Sequence, residues 1–439
     1  MLMKTVVKAT RPASALLSRV ADNTTGLANQ VVARVPGVAS VSIPEDLSDV
    51  TRVGEESAAT GVGLADDCVE KIWGAVKGLY RSRTHNQITL CVRRQGKTII
   101  NRSIGVSQGE YGDADSVVGA PDTPFCLFSG SKAVSALLLC KFEELGEISL
   151  GDSISKYIPA FSKHGKGEIT LGDLISHRAK VPSLDLEIPE QITDHDYILE
   201  RLCNAYPHDA KQAYHAITGG FIIAEVIERV TGKPVQSALD THFRKPLGMT
   251  YFTYGLQKCY RKKFVRAHVS GIPLVGPMKR IPLKIFGLPI ETVVEFSNQD
   301  SLLDAVLPAG NMFASADESS RFYQMLLDDG HYNDQQVLHP DTIRKARGGG
   351  FLPAWDDTFN LPAHFSRGGF MLNTPPVMLF GIQAPKAFGH LGFINTLTWA
   401  EPDRQLSVGL LTSGKPFIGP HLYNFAAIPN VINHYCPRI

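Results

Sequence analysis

The sequence has no excess of charge of either sign, and it contains no long apolar segment. Its 439 residues include 44 Lys and Arg against 43 Asp and Glu, which gives a formal net charge of +1. Because a nucleic-acid-binding surface needs an excess of basic side chains, the composition predicts no nucleic-acid partner. No run of about 18 apolar residues occurs, so no transmembrane segment is predicted either.

The chain also has few cysteines and no close pair of them. The seven cysteines are an odd number, are widely spaced and form no C-x-x-C motif. This pattern predicts free thiols in a reducing compartment rather than a disulfide framework. The nearest approach to a metal motif is Asp194-His195-Asp196, but its surroundings are typical of a helix start, and no second histidine follows at ligand spacing. We therefore expect neither a metal nor another cofactor.

The first 60 residues differ from the rest of the chain. Four basic residues, the last of them Arg19, precede the first acidic residue, Asp22. Such a segment is typical of an organelle presequence or of a short amphipathic helix, and it lacks the unbroken apolar core of a secretory signal. We expect residues 1–60 to form an arm that is poorly ordered or peripherally docked, and residues 61–439 to form the main domain. A cytoplasmic location is predicted, with an organelle presequence as the alternative.

Hydrophobic periodicity predicts an α+β fold. Apolar residues at helical spacing between Val69 and Val76 indicate a helix, and the alternation of Ile88, Leu90 and Val92 indicates a strand. A turn at Gln95-Gly96 leads to a second strand. Together with a predicted hairpin near the carboxy terminus, these strands would form one antiparallel sheet built from both chain ends and flanked by helices.

The middle of the chain, residues 125–330, is predicted to be a mostly helical subdomain. Ser315-Ala-Asp-Glu318 has the spacing of a capping box for a helix that ends at Gly330. The stretch from Gly271 to Phe296 is rich in proline, glycine and apolar residues. It is interpreted as a flap over an acyl pocket, as an interfacial patch in peripheral contact with lipid-like substrate, or as a loop packed on its own domain.

The motif Ser129-Gly-Ser-Lys132 carries the main chemical prediction. It opens a predicted helix from Ser129 to Gly146, so the hydroxyl and the amine lie on one helical face within mutual reach. Such a pair supplies a nucleophile and its proton acceptor. The alternative is a helix-capping serine beside a solvated lysine. A second copy, Ser153-Ile-Ser-Lys156, precedes Tyr157-Ile-Pro159 and is interpreted as a polar turn.

Two later segments follow this pair in a recognisable order. Tyr214 precedes an apolar helix, and a glycine-flanked histidine, His390, enters the first strand of the predicted hairpin. This order resembles that of the penicillin-recognising serine hydrolases. The chain is similar to the class C β-lactamase-like superfamily, and most similar to its family VIII carboxylesterase branch. The resemblance is carried by four stretches: Phe125 to Pro159, Ile169 to His177, Tyr214 to Met249, and Pro308 to Ser315 with the His390 hairpin.

The resemblance implies a role for each site residue. Ser129 would be the nucleophile, and either Lys132 or Tyr214 the general base. The oxyanion would be held by the backbone amides of Ser129 and Phe393. The substrate-binding site would be lined by the strand that contains His390, Leu391 and Gly392. His390 would donate a hydrogen bond to the substrate or to Tyr214, or would simply pack beside the strand. His215 is expected to face solvent or to relay protons.

Two departures from the family pattern bear on the substrate. The family commonly has Tyr-x-Asn where this chain has Ala216, and β-lactamases have Lys-Thr-Gly where this chain has His390-Leu391-Gly392. The second change removes the cation and the hydroxyl that would bind a substrate carboxylate. The sequence therefore predicts a carboxylesterase that acts on neutral esters with short or medium acyl chains, with acyl transfer as an added activity. A peptidase, amidase or weak β-lactamase is the first alternative, and a non-catalytic relative acting in assembly or ligand binding is the second. The oligomeric state is left open.

One further motif is set aside. Gly105-Val-Ser107-Gln-Gly109 matches the G-x-S-x-G pattern of α/β-hydrolases, but a polar stretch follows it rather than a helix. We therefore expect no nucleophile at Ser107.

Overall fold

The computed structural model describes residues 39–348 and 352–439, and its centre is an antiparallel sheet. The eight strands of this sheet are β1 (Thr51–Val53), β2 (Gln87–Arg94), β3 (Lys97–Gln108), β4 (Val117–Val118), β12 (Met371–Leu372), β13 (Phe388–Gly392), β14 (Thr396–Glu401) and β15 (Leu406–Thr412). Their order is β1-β3-β2-β15-β14-β13-β12, and β4 pairs with β3. The pairing of β2 with β15 joins the two chain ends, as predicted.

The two faces of the sheet are buried against different helices. The alternating Ile88, Leu90 and Val92 share a core cluster with α1 (Cys68–Tyr80) and with the carboxy-terminal helix (His421–Tyr435). Because side chains of a strand point to opposite faces in turn, Cys91 belongs instead to the core of the helical region.

The region from 125 to 330 is mostly helical, as predicted. Helices α1 to α13 of the described residues are α1, α2 (Ser131–Glu144), α3 (Ile154–Tyr157), α4 (Leu171–Ile175), α5 (His195–Asn204), α6 (Thr218–Thr231), α7 (Val235–Leu239), α8 (Arg280–Phe286), α9 (Ile290–Phe296), α10 (Asp300–Asp304), α11 (Ala316–Leu327), α12 (Pro340–Arg347) and α13 (His421–Tyr435). A small sheet joins β5 (Phe125–Cys126), β6 (Thr253–Tyr254) and β7 (Met312–Ala314). Two hairpins pair β8 (His331–Tyr332) with β9 (Gln335–Gln336) and β10 (Ala354–Asp356) with β11 (Leu361–Ala363).

Some element predictions need correction. The capping box of α11 is present, with Ser315 accepting from the Glu318 amide, but the helix ends at Leu327 rather than at Gly330. Residues 271–296 are not simply a loop, because they contain α8 and α9. Their proline and glycine content concealed two helices of seven residues each, since proline starts a helix and glycine ends one without strain.

The amino-terminal arm is described from residue 39 onward. In this part, Val41, Leu47 and Val50 are buried, and β1 pairs with β3 at the edge of the sheet. The predicted presequence lies outside the described residues. Among the residues described, no helix combines the length and the apolarity needed to cross a membrane.

Candidate active site

Ser129 lies in a tight turn directly before the buried helix α2. Residues Phe128–Gly130 form one 3-10 turn, and α2 begins at Ser131, two residues later than predicted. Phe128 has a φ of +47°, a left-handed conformation that is unusual for a phenylalanine. The turn is fixed from behind, because the Ser131 hydroxyl donates to the Phe128 carbonyl and accepts from the Met312 amide.

Lys132 is buried and contacts the Ser129 hydroxyl. Its Nζ lies 3.1 Å from Ser129 Oγ, 2.6 Å from the Ala216 carbonyl oxygen and 2.7 Å from the Ala309 carbonyl oxygen. Burial holds the pKa of Lys132 well below its usual value, since a charged amine is disfavoured away from water. The alternative of a solvated lysine is therefore wrong. Ser129 does not cap α2 either, because the N-cap residue is Gly130 and no side chain caps this helix.

These three contacts determine what a neutral Lys132 can do. A carbonyl oxygen only accepts hydrogen bonds, so Nζ must donate one hydrogen bond to each of the two carbonyls. A neutral amine has two N–H groups, which these carbonyls occupy, and its lone pair is then directed at Ser129 Oγ. The geometry therefore suits proton transfer from Ser129 to Lys132.

The second S-x-x-K copy has a different environment. Residues Ile154–Tyr157 form one helical turn rather than the predicted polar turn, and the Ser153 hydroxyl pairs with that of Ser155. Lys156 is exposed and binds Asp152 at 2.8 Å. This lysine has no contact that would keep it neutral, so the pair is a surface feature.

Tyr214 completes the group around Ser129. Its side chain is buried, and Lys132 Nζ lies 4.9 Å from the centroid of its ring. Burial raises the pKa of the Tyr214 phenol, and a hydrogen bond with Ser129 offsets only part of that rise. Tyr214 therefore stays protonated at neutral pH and can supply a proton rather than remove one.

The hairpin of β10 and β11 fixes Tyr214 from the other side. Asp356 Oδ1 accepts from the amides of Tyr214, Thr358 and Phe359, each at 3.1 Å. The Thr358 hydroxyl donates to the Tyr214 carbonyl, and the Phe359 ring stacks on the Tyr214 ring at 4.5 Å. Sequence reasoning missed this contact. The sequence Asp-x-Thr-Phe is typical of a local Asx turn, so the turn could have been predicted. Its contact with the Tyr214 amide could not, because Tyr214 is distant in sequence.

The strand β13 packs against the turn that carries Ser129. A Cβ placed on Gly392 would lie 2.5 Å from the Leu127 carbonyl oxygen, so only glycine allows this close approach. The ring of Phe393 lies 5.2 Å from that of Phe128. The two residues predicted to form the oxyanion hole, Ser129 and Phe393, therefore lie on adjoining segments. Leu391, which precedes Gly392 in β13, is partly buried against the core of the sheet.

His390 is fully buried, and its protonation state is determined by its neighbours. Its Nδ1 lies 2.8 Å from the Leu391 carbonyl oxygen, so this nitrogen carries the proton. Burial, together with the nearby Lys132, lowers the pKa of His390 to about 3. The ring is therefore neutral, and Nε2 can accept a hydrogen bond but cannot donate one. In this tautomer His390 does not supply the predicted donation to the substrate or to Tyr214, and its contact with the substrate stays a prediction.

His215 is buried rather than facing solvent, which corrects that expectation. Its Nε2 accepts from the Val181 amide at 3.3 Å, and its own amide donates to His177 Nδ1 at 3.1 Å. The His177 ring lies 4.6 Å from the Tyr214 ring. Burial lowers the pKa of His215 to about 3. Both histidines are structural supports of the Tyr214 segment.

The two motifs set aside do not form sites. Asp194 caps α5, and His195 Nε2 lies 3.1 Å from Glu225, so the helix-start interpretation is confirmed. Ser107 lies inside β3 and donates to the Val117 carbonyl rather than opening a helix. Within residues 39–348 and 352–439, no group of three His, Cys, Asp or Glu side chains could hold a metal ion. All seven cysteines are free, and Cys259 is exposed.

Comparison with known proteins identifies the family and the fold of the chain. A model of the family described as "Beta-lactamase" matches residues 65–431. The esterase/beta-lactamase LipL of Mycobacterium tuberculosis (strain ATCC 25618 / H37Rv) is 23% identical over 372 residues, which cover 82% of this chain and 84% of LipL.

Solved structures give the same result for the fold. A penicillin-binding protein homologue from Caulobacter crescentus is similar with a TM-score of 0.71 and 20% identity, over 85% of this chain and 99% of that one. A family VIII carboxylesterase is similar with a TM-score of 0.70 and 20% identity, over 83% of this chain and 98% of that one. These matches confirm the predicted α+β fold. Because the family model covers most of the sequence, the chain belongs to the beta-lactamase family. This family is part of a superfamily of serine hydrolases.

Proposed function

We propose that this chain hydrolyses small neutral carboxylic esters through an acyl-enzyme on Ser129. The observation that carries the proposal is the contact of Lys132 with Ser129 Oγ and two carbonyl oxygens. A buried amine with both N–H groups occupied is a base aimed at one hydroxyl. Of the two candidate bases, Lys132 is favoured over Tyr214, because burial keeps the amine neutral and the phenol protonated.

The first half of the reaction forms the acyl-enzyme. Ser129 Oγ attacks the ester carbonyl carbon while its proton passes to the lone pair of Lys132. The oxyanion of the tetrahedral intermediate is held by the amides of Ser129 and Phe393. When the bond to the leaving alcohol breaks, the alcohol oxygen takes a proton from Tyr214. Tyr214 regains a proton from the Lys132 ammonium, so Lys132 is neutral again.

The second half releases the acid. A water molecule attacks the acyl carbon and gives a proton to Lys132, and Ser129 Oγ leaves as the carboxylic acid forms. Lys132 then returns the proton to Ser129. If an alcohol takes the place of water, the same steps transfer the acyl group to that alcohol, which gives the acyltransferase activity.

The proposed substrate follows from what surrounds Ser129. His390 is neutral and presents only a lone pair at Nε2, so it would repel a substrate carboxylate rather than bind it. Ala216 has no side-chain amide for a peptide-like acyl group. Both features favour a neutral ester over a β-lactam or a peptide carboxy terminus. Weak β-lactamase or amidase activity is the second candidate. The similarity to LipL, whose name gives esterase and beta-lactamase, favours the β-lactamase activity.

The test is intact-mass detection of a covalent adduct after exposure to a p-nitrophenyl ester, followed by mapping of the modified peptide. We expect an acyl group on Ser129, loss of the adduct in Ser129→Ala, and no change in the matched control Ser153→Ala. Acylation by penicillin with little ester turnover would select the second candidate. A chain inert to esters, penicillin and fluorophosphonates would overturn both, and would indicate a non-catalytic relative.

A further inference from the structure

The stretch from Thr241 to Ile290 carries charge of one sign only. It contains six lysines and four arginines and no acidic residue, in a chain whose formal net charge is +1. Among the described residues, three of these basic side chains are in ion pairs, and the other seven have no carboxylate partner. All seven are exposed. The stretch therefore places an unbalanced positive charge on one part of a nearly neutral protein.

The inner side of this stretch is apolar and packs beside the candidate active site. Phe264 and Leu274 are buried in one core cluster with Phe128 and Phe393. Phe286, at the end of α8, packs against the same cluster, and its ring lies 4.7 Å from the Phe393 ring. Because the inward side is occupied by this packing, the basic side chains lie on the outward side.

Helix α8 and the turn before it expose apolar side chains between the basic ones. Pro282 is buried, whereas Ile281 and Leu283 on either side of it are 44% and 43% exposed, and Val275 is 60% exposed. Single exposed apolar residues are ordinary, but several in one short segment form a patch that is typical of an interaction site. We name this patch the basic apolar face, and it consists of Val275, Lys279, Arg280, Ile281, Leu283 and Lys284.

The β10–β11 hairpin adjoins the basic apolar face. Lys284 Nζ lies 3.0 Å from Asn360 Oδ1 and 3.6 Å from Asp357 Oδ2, and both residues belong to the turn of this hairpin. Trp355, on the first strand of the hairpin, is 61% exposed. Exposed tryptophan is typical of protein surfaces that contact the boundary between water and lipid.

We infer that the basic apolar face docks the protein on a bilayer that contains anionic phospholipids. The headgroups attract the lysines and arginines, and the apolar side chains enter the boundary between the headgroups and the acyl chains. A nucleic acid or an acidic protein would use the charges but would leave the apolar side chains without an apolar partner. Of the three interpretations of residues 271–296, this one selects the interfacial patch. The inference concerns binding only and does not rest on the proposed function.

Co-sedimentation of the full chain with vesicles tests the inference. The probes are vesicles of phosphatidylcholine alone and vesicles of phosphatidylcholine with phosphatidylserine. We expect binding to the phosphatidylserine vesicles to be tighter by at least about tenfold, and this difference to disappear as salt is raised, because salt screens exposed charges. Equal binding to the two kinds of vesicle, or binding to neither, would overturn the inference.

Charge variants separate this face from the rest of the surface. Each lysine or arginine near an anionic bilayer contributes about fivefold to binding, so Lys279→Gln combined with Arg280→Gln should weaken binding by about twentyfold. The matched control, Lys97→Gln combined with Lys386→Gln, removes two exposed charges near the end of the sheet opposite Gly392. It should bind as the unmodified chain does. Equal losses in the two double variants would overturn the assignment to this face.

The apolar side chains distinguish a bilayer from another anionic partner. Ile281→Gln combined with Leu283→Gln keeps every charge and should weaken vesicle binding by about tenfold, because polar side chains do not enter the bilayer. Both positions are exposed, so the Tm should stay unchanged. Unchanged vesicle binding in this variant, or binding to heparin without binding to vesicles, would overturn the bilayer as partner and indicate a polyanion instead.

Trp355 reports whether this side of the protein faces the bilayer. It is the one exposed tryptophan of the three, since Trp73 and Trp399 are buried. We expect its fluorescence to shift to shorter wavelength on phosphatidylserine vesicles and to be quenched by brominated lipid, and Trp355→Phe to abolish both effects. Vesicle binding without this quenching would overturn the assigned face. Ser129→Ala should bind as the unmodified chain does, so that docking and ester hydrolysis are tested separately.

Discussion

Asp356 accepts a hydrogen bond from the backbone amide of Tyr214 at 3.1 Å, although 142 residues separate the two in sequence. The same oxygen accepts from the amides of Thr358 and Phe359. One buried carboxylate oxygen therefore joins the segment of the proposed general acid to the β10–β11 hairpin. Burial raises the pKa of Asp356, and the three amide donors offset part of that rise.

This contact predicts that Asp356 positions Tyr214. Asp356→Ala leaves the buried amides of Tyr214 and Thr358 without this acceptor, and each buried unsatisfied group costs about 1–3 kcal/mol. We expect a lower Tm and a kcat for p-nitrophenyl acetate reduced by about tenfold to a hundredfold, because the phenol is misplaced. Asp356→Asn retains an acceptor oxygen and should recover most of both values. The neighbouring Asp357, which is partly buried, gives the control Asp357→Asn. An unchanged kcat in Asp356→Ala would contradict the positioning role.

The sequence predicts local features of this protein better than distant ones. The strand at Ile88 to Val92 and the cap at Ser315 follow from short-range periodicity and capping, and Ser129 meets Lys132 because they are three residues apart at a helix start. The contact of Asp356 with Tyr214 and the burial of His215 depend on how remote segments pack. Local patterns do not contain that information, because the partners of Asp356 and His215 lie 142 and 38 residues away in sequence.

The environment of Lys132 predicts the pH dependence of the reaction. Burial lowers its pKa, so the neutral, active amine is populated at a lower pH than for a solvated lysine. The rate should therefore rise with pH as Lys132 loses its proton, and then stay constant. His390 and His215 have pKa values of about 3, and the pKa of Tyr214 is raised, so none of these groups titrates between about pH 6 and pH 9.

The measurement is kcat/KM for a neutral ester as a function of pH. A falling limb between about pH 6 and pH 9 would contradict the assignment of Lys132 as base. In Lys132→Met, we expect kcat to fall by about 10²- to 10⁴-fold, the usual contribution of a general base. Lys156→Met removes the exposed lysine of the second S-x-x-K copy and should have no effect on either quantity.

The close approach of Gly392 to Leu127 predicts a sensitive position in the oxyanion hole. In Gly392→Ala, the new Cβ would lie 2.5 Å from the Leu127 carbonyl oxygen, so β13 must move away from the turn of Ser129. Displacing the Phe393 amide removes one oxyanion donor, and kcat should fall by about 10²- to 10³-fold. Gly74→Ala, in a helix where a Cβ meets no neighbour, is the control. A kcat within about twofold of the unmodified enzyme would show that Phe393 does not hold the oxyanion.

A second buried lysine, Lys415, predicts how stability depends on pH. Its Nζ donates to the Thr412 carbonyl at 3.0 Å and lies 4.9 Å from the Phe128 ring, and its side chain is 1% exposed. Burial lowers its pKa to about 7. An unfolded lysine has a pKa of about 10.4, so between these values the unfolded chain binds more protons than the folded one. The free energy of unfolding should therefore rise with pH from about 7 to about 10.

Urea unfolding at several pH values in that range measures the effect. Each proton of difference contributes up to about 1.4 kcal/mol per pH unit, so the slope should be reduced in Lys415→Met, which cannot take up the proton. Lys386→Met, at an exposed site paired with Asp403, should keep the slope of the unmodified protein. If Lys415→Met retains that slope, Lys415 is charged in the folded state at neutral pH, and the ring of Phe128 must then stabilise its ammonium group directly behind the nucleophile.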